Sequence, residues 1–472
     1  MSLRTHYDPD HLAELRAFQD IGEELRLLSS RTKPALNGRA RIAYCLHNSL
    51  PHQHGGYAMR SHAIAKALRA RGHDLIGFGR PGFPTDGIAE PIAPPARANV
   101  DGVPYRFENR FGRRGRAHGY LAEAADYYER VFIENEVGVV HAATNFWTAL
   151  PAGLAAHRLD LPFIYEVRSF WAITREAREA GFRNTPQAWR DEMLETITLA
   201  LADHVVTLNA AMREHLVHYG IEGAATSLVP NCVDGNVYSP RPRDSALAAT
   251  YGLGENDVVI GYMGAMLGYE GLDLLVEAVT SMIEAGQRAK LLIVGADSVK
   301  RTQPGTIEFD LEKRIAVCGI TGSIILADRI APDSVPAHYG LFDICAYPRR
   351  DFEVCNLVSP LKPLEAMACG KAIVASDVGG MRGMIEDGKT GLVHAANDMA
   401  DLQSRLSTLV TDREMRLRLG QSARSFAVAE RSWDEVARSM SDAYASAAAA
   451  HAQGMDSARR DRLAAAWRQL SG

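Results

Sequence analysis

The sequence predicts an α/β chain of two domains, each a parallel sheet covered on both faces by helices. Three observations carry that expectation. Short continuous apolar runs of strand length alternate with helical periodicity, the pattern of strands buried on both faces. The alternation occurs as two series, separated by the proline-containing stretch Ser239-Pro240-Arg241-Pro242. The chain has 472 residues, more than one ordinary core accommodates.

Taken in order, residues 11–30 place Leu12, Leu15, Phe18, Ile21, Leu25 and Leu28 three or four positions apart. That spacing predicts an amphipathic helix added ahead of the first strand. The first series then predicts strands at 42–46, 75–78, 139–141, 163–165 and 205–207, with a helix over 58–71. The second predicts strands at 258–260, 291–295, 324–326, 344–347 and 372–375. Between them, Val229-Pro230-Asn231-Cys232-Val233-Asp234 and the prolines that follow read as a hinge. Ser432-Trp433-Asp434-Glu435 has the form of a capping box, and Trp433, Val436, Met440 and Tyr444 continue it at helical spacing. The expected domains are a helical extension over 1–37, a first domain over 38–236, a second over 237–430, and a last helix with its tail over 431–472. The Ala- and Arg-rich tail carries only a thin apolar stripe and is assigned no catalytic role.

Composition narrows the function. The 52 Lys and Arg against 57 Asp and Glu give a net charge of -5, which excludes a nucleic-acid binder driven by bulk electrostatics. The six cysteines show no metal-ligand spacing and read as reduced, mostly buried thiols of a cytosolic protein. No stretch approaches the ~20 apolar residues of a membrane span, and the N-terminus lacks a charged-then-apolar signal. A cytoplasmic location, extending to the inner face of a membrane, is expected.

The most informative stretch runs from Ser359-Pro360-Leu361-Lys362-Pro363-Leu364-Glu365 to the turn Gly379-Gly380. It strings together a loop, a short helix, a buried strand and a glycine turn. Free N–H groups at the helix start, with Lys362 beside them, suit a phosphate. Glu365, one turn on, suits the vicinal hydroxyls of a ribose. Together they indicate a nucleotide. After the first strand, Gly55 and Gly56 precede a helix, where glycines let a ligand approach the backbone or simply make a tight turn. The dinucleotide spacing G-x-G-x-x-G is absent there, which argues against a dehydrogenase. Tyr165-Glu166-Val167-Arg168-Ser169-Phe170-Trp171 alternates charged and aromatic residues, fit to line a cleft or to form a structural Glu166–Arg168 pair. His141 at a strand end is either a sugar contact or a histidine satisfied by a neighbour. Arg106, Arg110, Arg113, Arg114 and Arg116, interleaved with Phe107, Phe111 and Tyr120, read as a solvated loop, with a peripheral membrane or lipid-diphosphate contact as the alternative.

The 359–380 stretch resembles the donor-binding motif of the retaining glycosyltransferases of family 4, in the Ser-Pro-Leu-Lys-Pro-Leu-Glu variant common among bacterial polysaccharide-assembly enzymes. The resemblance runs in order from residue 41 to residue 444. It implies the GT-B fold, two facing Rossmann-like domains with the acceptor on the N-terminal side and the nucleotide sugar on the C-terminal side. It further implies a last helix that crosses back to the first domain, and a Gly55-Gly56 loop that closes over the donor phosphates. Ser359, Leu361, Glu365 and Gly264 would line the donor, with His141 near its sugar. Many members carry a histidine where this chain has Arg168. In the common pattern the first of two glutamates stands at the position of Leu357, eight before the second, which is Glu365 here, and an arginine and a lysine stand at those of Ala265 and Glu270. Without those two cations, the charge that grows on a departing diphosphate must be met elsewhere. Lys362 is the first candidate and Arg349 the second, with Arg168 and Arg350 remaining.

The expected function is transfer of a hexose-type sugar from a nucleotide sugar to the hydroxyl of a saccharide or lipid-linked glycan, with retention. The nucleotide sugar is a co-substrate, and no other cofactor is expected. No Asp-x-Asp pair stands at a strand end, so metal independence is expected too. The alternatives are a non-catalytic nucleotide-sugar-binding protein of the same fold and a sugar-nucleotide epimerase.

Overall fold

The computed structural model describes residues 41–87, 96–108, 112, 119–295, 311, 315–316, 322–455 and 459–463. The helix expected over 11–30 lies outside them, as do Cys318 and Arg110, Phe111, Arg113, Arg114 and Arg116. The chain forms two compact units, one of residues 1–171, 185–229 and 436–472, the other of 172–184 and 230–435. The seam thus falls at 229/230, a few residues ahead of the expected 236/237.

In the first unit, β1 (Arg41–Leu46), β2 (Leu75–Gly79), β3 (Arg97–Val100), β4 (Val103–Arg106), β5 (Val137–Ala143), β6 (Phe163–Val167), β7 (His204–Thr207) and β8 (Thr226–Leu228) make one sheet. Its order is β3-β4-β2-β1-β5-β6-β7-β8. The described pairs are parallel except β3 with β4. That hairpin is missing from the sequence reading, although its turn is Asp101-Gly102 at φ 48° and 80°. Positive φ at both central residues is what an Asp-Gly hairpin turn supplies. The helices α1 (Gly56–Ala70), α2 (Tyr120–Glu134), α3 (Phe146–Arg158) and α4 (Pro186–Leu201) cover the faces. Asn145 caps α3 by accepting from Trp147 N, and Thr185 caps α4 by accepting from Ala188 N.

In the second unit, β9 (Val258–Met263), β10 (Ala289–Val294), β11 (Ile324–Ala327), β12 (Ile344–Tyr347), β13 (Ala372–Ser376) and β14 (Leu392–His394) pair in the order β11-β10-β9-β12-β13-β14, all parallel. The sequence expects five of these strands. β14 has only three residues and no apolar run of its own. Around the sheet lie α5 (Leu272–Glu284), α6 (Val335–Leu341), α7 (Lys362–Ala368), α8 (Met399–Thr411) and α9 (Arg413–Glu430). Asp398 and Asp412 cap α8 and α9 by accepting from Asp401 N and Met415 N.

Both sheets reverse direction of growth beside their first strand, between β1 and β5 and between β9 and β12. A crevice opens at such a switch point, outside the carboxyl ends of the strands. β9 and β12 pair only at Ile260–Ile344 and Gly261–Cys345, and Tyr262 and Tyr347 then stand with ring centroids 6.2 Å apart. The motif residues of the second series all follow these strand ends.

The last helix, α10 (Trp433–Gln453), starts as expected with Ser432 Oγ accepting from Glu435 N at 3.3 Å. From Val436 on it belongs to the first unit. Its buried stripe, Val436, Met440, Ala443, Tyr444, Ala447 and His451, repeats every three or four residues. Ser441 Oγ meets His73 Nε2 at 2.8 Å, and His451 Nδ1 meets Asp203 Oδ2 at 3.2 Å. Cys45, Cys345, Cys355 and Cys369 are free and buried, as expected of reduced thiols, and Cys232 is buried as well.

Gly261 in β9 has a packing requirement, because a Cβ there would land inside the Phe342 ring. Gly261→Ala is expected to cost about 1–3 kcal/mol of stability, the usual range for overpacking a rigid core site. Chemical denaturation of parent and variant checks this, and an unchanged midpoint would contradict it.

Candidate functional site

In the second unit the site forms at the carboxyl edge of the sheet. β9 ends at Met263, and Gly264 follows at φ +149°, a backbone region that favours glycine. A Cβ at this position would collide with the Lys362 side chain, so Gly264 opens the path along which Lys362 returns from α7 to the strand end. There Lys362 Nζ donates to the Tyr262 hydroxyl at 2.5 Å and lies 4.7 Å from that ring's centroid. Its backbone carbonyl accepts from Tyr347 at 3.0 Å, which fixes the start of α7 against β12.

Position 270, where the common pattern of the resembling family has a lysine, holds a buried acid with a definite place. Glu270 Oε1 lies 3.5 Å from Lys362 Nζ, and Oε2 lies 3.7 Å from Arg349 Nε. Burial alone would raise the Glu270 carboxyl pKa, but Lys362 and Arg349 hold it below the ordinary carboxylate value. Arg349 also donates from Nη1 to Val358 O at 2.9 Å, and its side chain is 4% exposed against 22% for Lys362. Lys362 is therefore the cation with a surface to offer a ligand. Arg350 pairs instead with Asp273.

Glu365 stands one turn along α7. Its Oε2 accepts from the Tyr339 hydroxyl at 3.0 Å, and the Tyr238 hydroxyl also bonds it. A carboxylate offers about four lone-pair sites, so two tyrosines leave room for two more hydroxyls. Burial pushes the Glu365 pKa up, and the tyrosines and Lys362 oppose it. Ser359 and Leu361 lead into α7, with Ser359 O accepting from Asn231 Nδ2 at 2.7 Å and Leu361 as the N-cap. The helix end is a weaker anion site than its sequence suggests. α7 has only seven residues, Pro363 carries no N–H, and the N–H groups of Leu364 and Glu365 bond Leu361 O. The positive charge of this corner resides in the Lys362 side chain.

In the first unit, β1 leads through residues 47–54 into α1, with Gly55 as N-cap at φ −72° and ψ 165°. Neither backbone nor packing demands a glycine here, since a Cβ on Gly55 would meet nothing within 4 Å. The first turn of α1, which Gly56 opens, carries no side-chain cap and no acid.

Arg168 and His141 meet at one buried carboxylate. Glu166 Oε2 accepts from Arg168 Nη2 at 2.7 Å and from the Tyr44 hydroxyl at 2.9 Å, and Oε1 accepts from Arg60 Nη2 at 2.9 Å. His141 Nε2 lies 3.4 Å from Glu166 Oε2, its Nδ1 lies 3.0 Å from the Tyr444 hydroxyl, and its ring stacks on Tyr44 at 4.3 Å. Of the two readings of Glu166 and Arg168, the structure has the internal ion pair. Arg168 also donates to Ser61 Oγ at 2.8 Å and to Tyr57 O at 3.2 Å, so it braces the first turns of α1. His141 likewise packs inside the unit, against the last helix.

Sequence reading missed Arg60, Tyr44, Tyr262, Tyr339 and Tyr238. Arg60 had a signal, a charge on the face that also carries Ile64 and Leu68. The tyrosines read as ordinary core residues, because only the fold shows which hydroxyls turn toward charge.

Burial would raise the Glu166 pKa, but Arg168, Arg60 and His141 hold it well below the usual range. A depressed carboxyl pKa adds stability above the ordinary value of about 4.3, and that stability is lost as pH falls further. Glu166→Leu is expected to cost about 3–5 kcal/mol at neutral pH by leaving two buried cations uncompensated. Denaturation at neutral and acidic pH checks both the loss and its shrinkage as pH falls.

Residues 55–232 match the family described as Glycosyl transferase 4-like domain, and residues 245–426 match Glycosyl transferases group 1. D-inositol 3-phosphate glycosyltransferase from Geodermatophilus obscurus is 30% identical over 316 residues, 66% of each chain. A GDP-mannose-dependent alpha-(1-6)-phosphatidylinositol monomannoside mannosyltransferase from Mycobacterium tuberculosis is 30% identical over 229 residues, 47% of this chain and 56% of the other. The chain thus matches about two thirds or less of the length of these curated relatives. Among solved structures, sucrose-phosphate synthase from Thermosynechococcus elongatus superposes with a TM-score of 0.67 at 18% identity, covering 87% of this chain and 100% of that one. Anabaena HepE, solved with UDP, gives 0.66 at 16% identity, covering 86% and 100%. The fold is the GT-B pair of Rossmann-like parallel-sheet domains that the sequence predicts, and with both domains matched, the chain belongs to the group 1 glycosyltransferases.

Proposed function

We propose that the chain transfers a sugar from a nucleotide-sugar donor to the hydroxyl of a saccharide or lipid-linked acceptor, with retention and without a metal ion. The observation that supports this most is the corner at the β9–β12 switch point. A partly exposed ammonium, Lys362, stands over Gly264, and a carboxylate, Glu365, follows three positions later on the same helix. A nucleotide sugar brings a diphosphate and a ribose, which are the two groups such a corner complements. Group 1 membership favours transfer over epimerisation or mere binding.

The chemistry asks little of acid–base groups. As the bond from sugar to diphosphate breaks, negative charge grows on the leaving oxygen, and a cation already in place stabilises that state more than the ground state. Lys362 supplies the charge, with Arg349 behind it. Glu365 holds the ribose. Arg168 and His141 act at a distance, by fixing the start of α1 and the interior of the first unit. Among the described residues no cluster of three or more His, Cys, Asp or Glu could hold a metal ion, and no helix is long and apolar enough to cross a membrane. UDP appears with the Anabaena structure and GDP-mannose in the name of the Mycobacterium relative, so donors of both bases form the first panel to assay.

Glu365→Ala is expected to weaken nucleotide binding by about 1.5–3 kcal/mol, the range for hydrogen bonds to a charged group. Calorimetry with a ribonucleotide donor checks this, and unchanged affinity would remove Glu365 from the ribose. Lys362→Met should lower kcat by roughly 10²–10³-fold with a smaller change in KM, as for other preorganised charge stabilisers. Near-parental turnover would move that role to Arg349. Release of free nucleotide or transferred sugar by the parent separates transfer from a binding-only protein.

A further inference from the structure

Glu270 puts a negative charge where the common pattern has a positive one, within the site that should hold a diphosphate. It is 5% exposed, and its two oxygens face different cations, Lys362 Nζ at 3.5 Å and Arg349 Nε at 3.7 Å. Arg349 Nε stands beyond hydrogen-bond distance and Lys362 Nζ at its outer limit, so the carboxylate acts on both chiefly through charge. Two cations this close repel each other, and a buried amine escapes desolvation by losing its proton. One carboxylate between them opposes both effects.

We propose that Glu270 is a positioning residue that seats the Lys362 ammonium beside the Arg349 guanidinium and keeps the lysine charged, so that the donor diphosphate meets a preset cation instead of a neutral amine. The proposal rests on the reading of this corner as a nucleotide-sugar site. It explains why the loss of the usual lysine at 270 comes with an acid there and not with a neutral residue. The lysine now comes from α7, and at 270 the chain needs its counter-ion. The 3.5 Å separation also leaves the ammonium free to turn its hydrogens toward phosphate oxygens.

The groups that face Nζ define what can titrate. Tyr262 comes from β9, Glu270 from the turn after it and Arg349 from beyond β12, while Glu365 lies on the lysine's own helix. Tyr347 and Tyr339 reach the lysine's backbone oxygen. Burial holds all three tyrosines well above their usual pKa, which leaves the amine to titrate on the alkaline side. Burial draws the Lys362 pKa down and Glu270 draws it back up. Removal of the carboxylate must therefore lower the pH at which the amine loses its proton.

The test is calorimetric affinity of the full chain for UDP and GDP from neutral to alkaline pH. The parent is expected to lose affinity along an alkaline limb that Lys362→Met lacks. In Glu270→Gln the midpoint of that limb should move to lower pH by about one unit, a ~10-fold change in the amine's proton affinity. An unmoved midpoint overturns the proposal, because a merely structural glutamate has no such effect. Should Glu270→Gln not fold, Glu270→Asp keeps the charge but withdraws it by one methylene. It is expected to move the midpoint the same way by less, and no movement overturns the proposal equally. A parent chain that binds neither diphosphate defeats the nucleotide-sugar reading and this proposal with it, whereas binding with an unmoved midpoint defeats the positioning role alone.

Discussion

A buried carboxylate between two cations, near the carboxyl edge of a parallel sheet, is the interaction on which that edge of each unit depends. Glu166 stands between Arg60 and Arg168 in the first unit, and Glu270 between Lys362 and Arg349 in the second. Taking any one of these charges out of water alone is costly, and a lone acid or amine would neutralise itself. In these arrangements each carboxylate offsets two cations, and the sum remains positive. The two differ in reach. Around Glu166 the partners sit at hydrogen-bond distance with almost no exposure, so the network braces the start of α1 from inside. Around Glu270 the contacts are longer and Lys362 keeps 22% of its side chain exposed, so the charge is held yet available.

The sheets explain why these groups gather where they do. Parallel strands bury both faces and leave chemistry only to the loops beyond their carboxyl ends. At the β9–β12 switch point the strands pair over two residues and then part, and the space receives Tyr262, Tyr347 and Lys362. Gly264 completes the fit, because a side chain there would bar the lysine. Residues more than 90 positions apart in the chain therefore meet at a single ammonium.

The departures from the common pattern at Ala265, Glu270 and Leu357 look in isolation like the loss of a site. Their surroundings fit the proposed rearrangement, with charge supplied from another element. Leu357 is a buried apolar residue that ends the short helix Glu353–Leu357 ahead of α7, and Glu270 pairs with the lysine that α7 supplies. Charge at a phosphate site is set by the sum of nearby groups, so a lysine can arrive from another element if an acid holds it.

Local pattern determined a good deal. The apolar strands, their division into two series, the Ser432 cap and the stripe of α10 all follow from short-range spacing, because burial on both faces and helical periodicity leave their mark within a few residues. The lysine and glutamate of α7 were likewise legible, since their relation is fixed by one helical turn. The β3–β4 hairpin was legible through Asp101-Gly102 but needed its turn chemistry read. Other features depend on groups brought together over long separations. Arg168 looks like a cleft residue until Glu166, Tyr44 and Ser61 close around it. The value of Glu270 depends on Lys362 and Arg349, and the helix-end donors of α7 are reduced by Pro363 and by bonds back to Leu361. The sequence by itself determined the two sheets and which loops carry charge. Only the tertiary structure decided which charges neutralise one another and which stays available, because that depends on distance and burial, and neither is a property of neighbours along the chain.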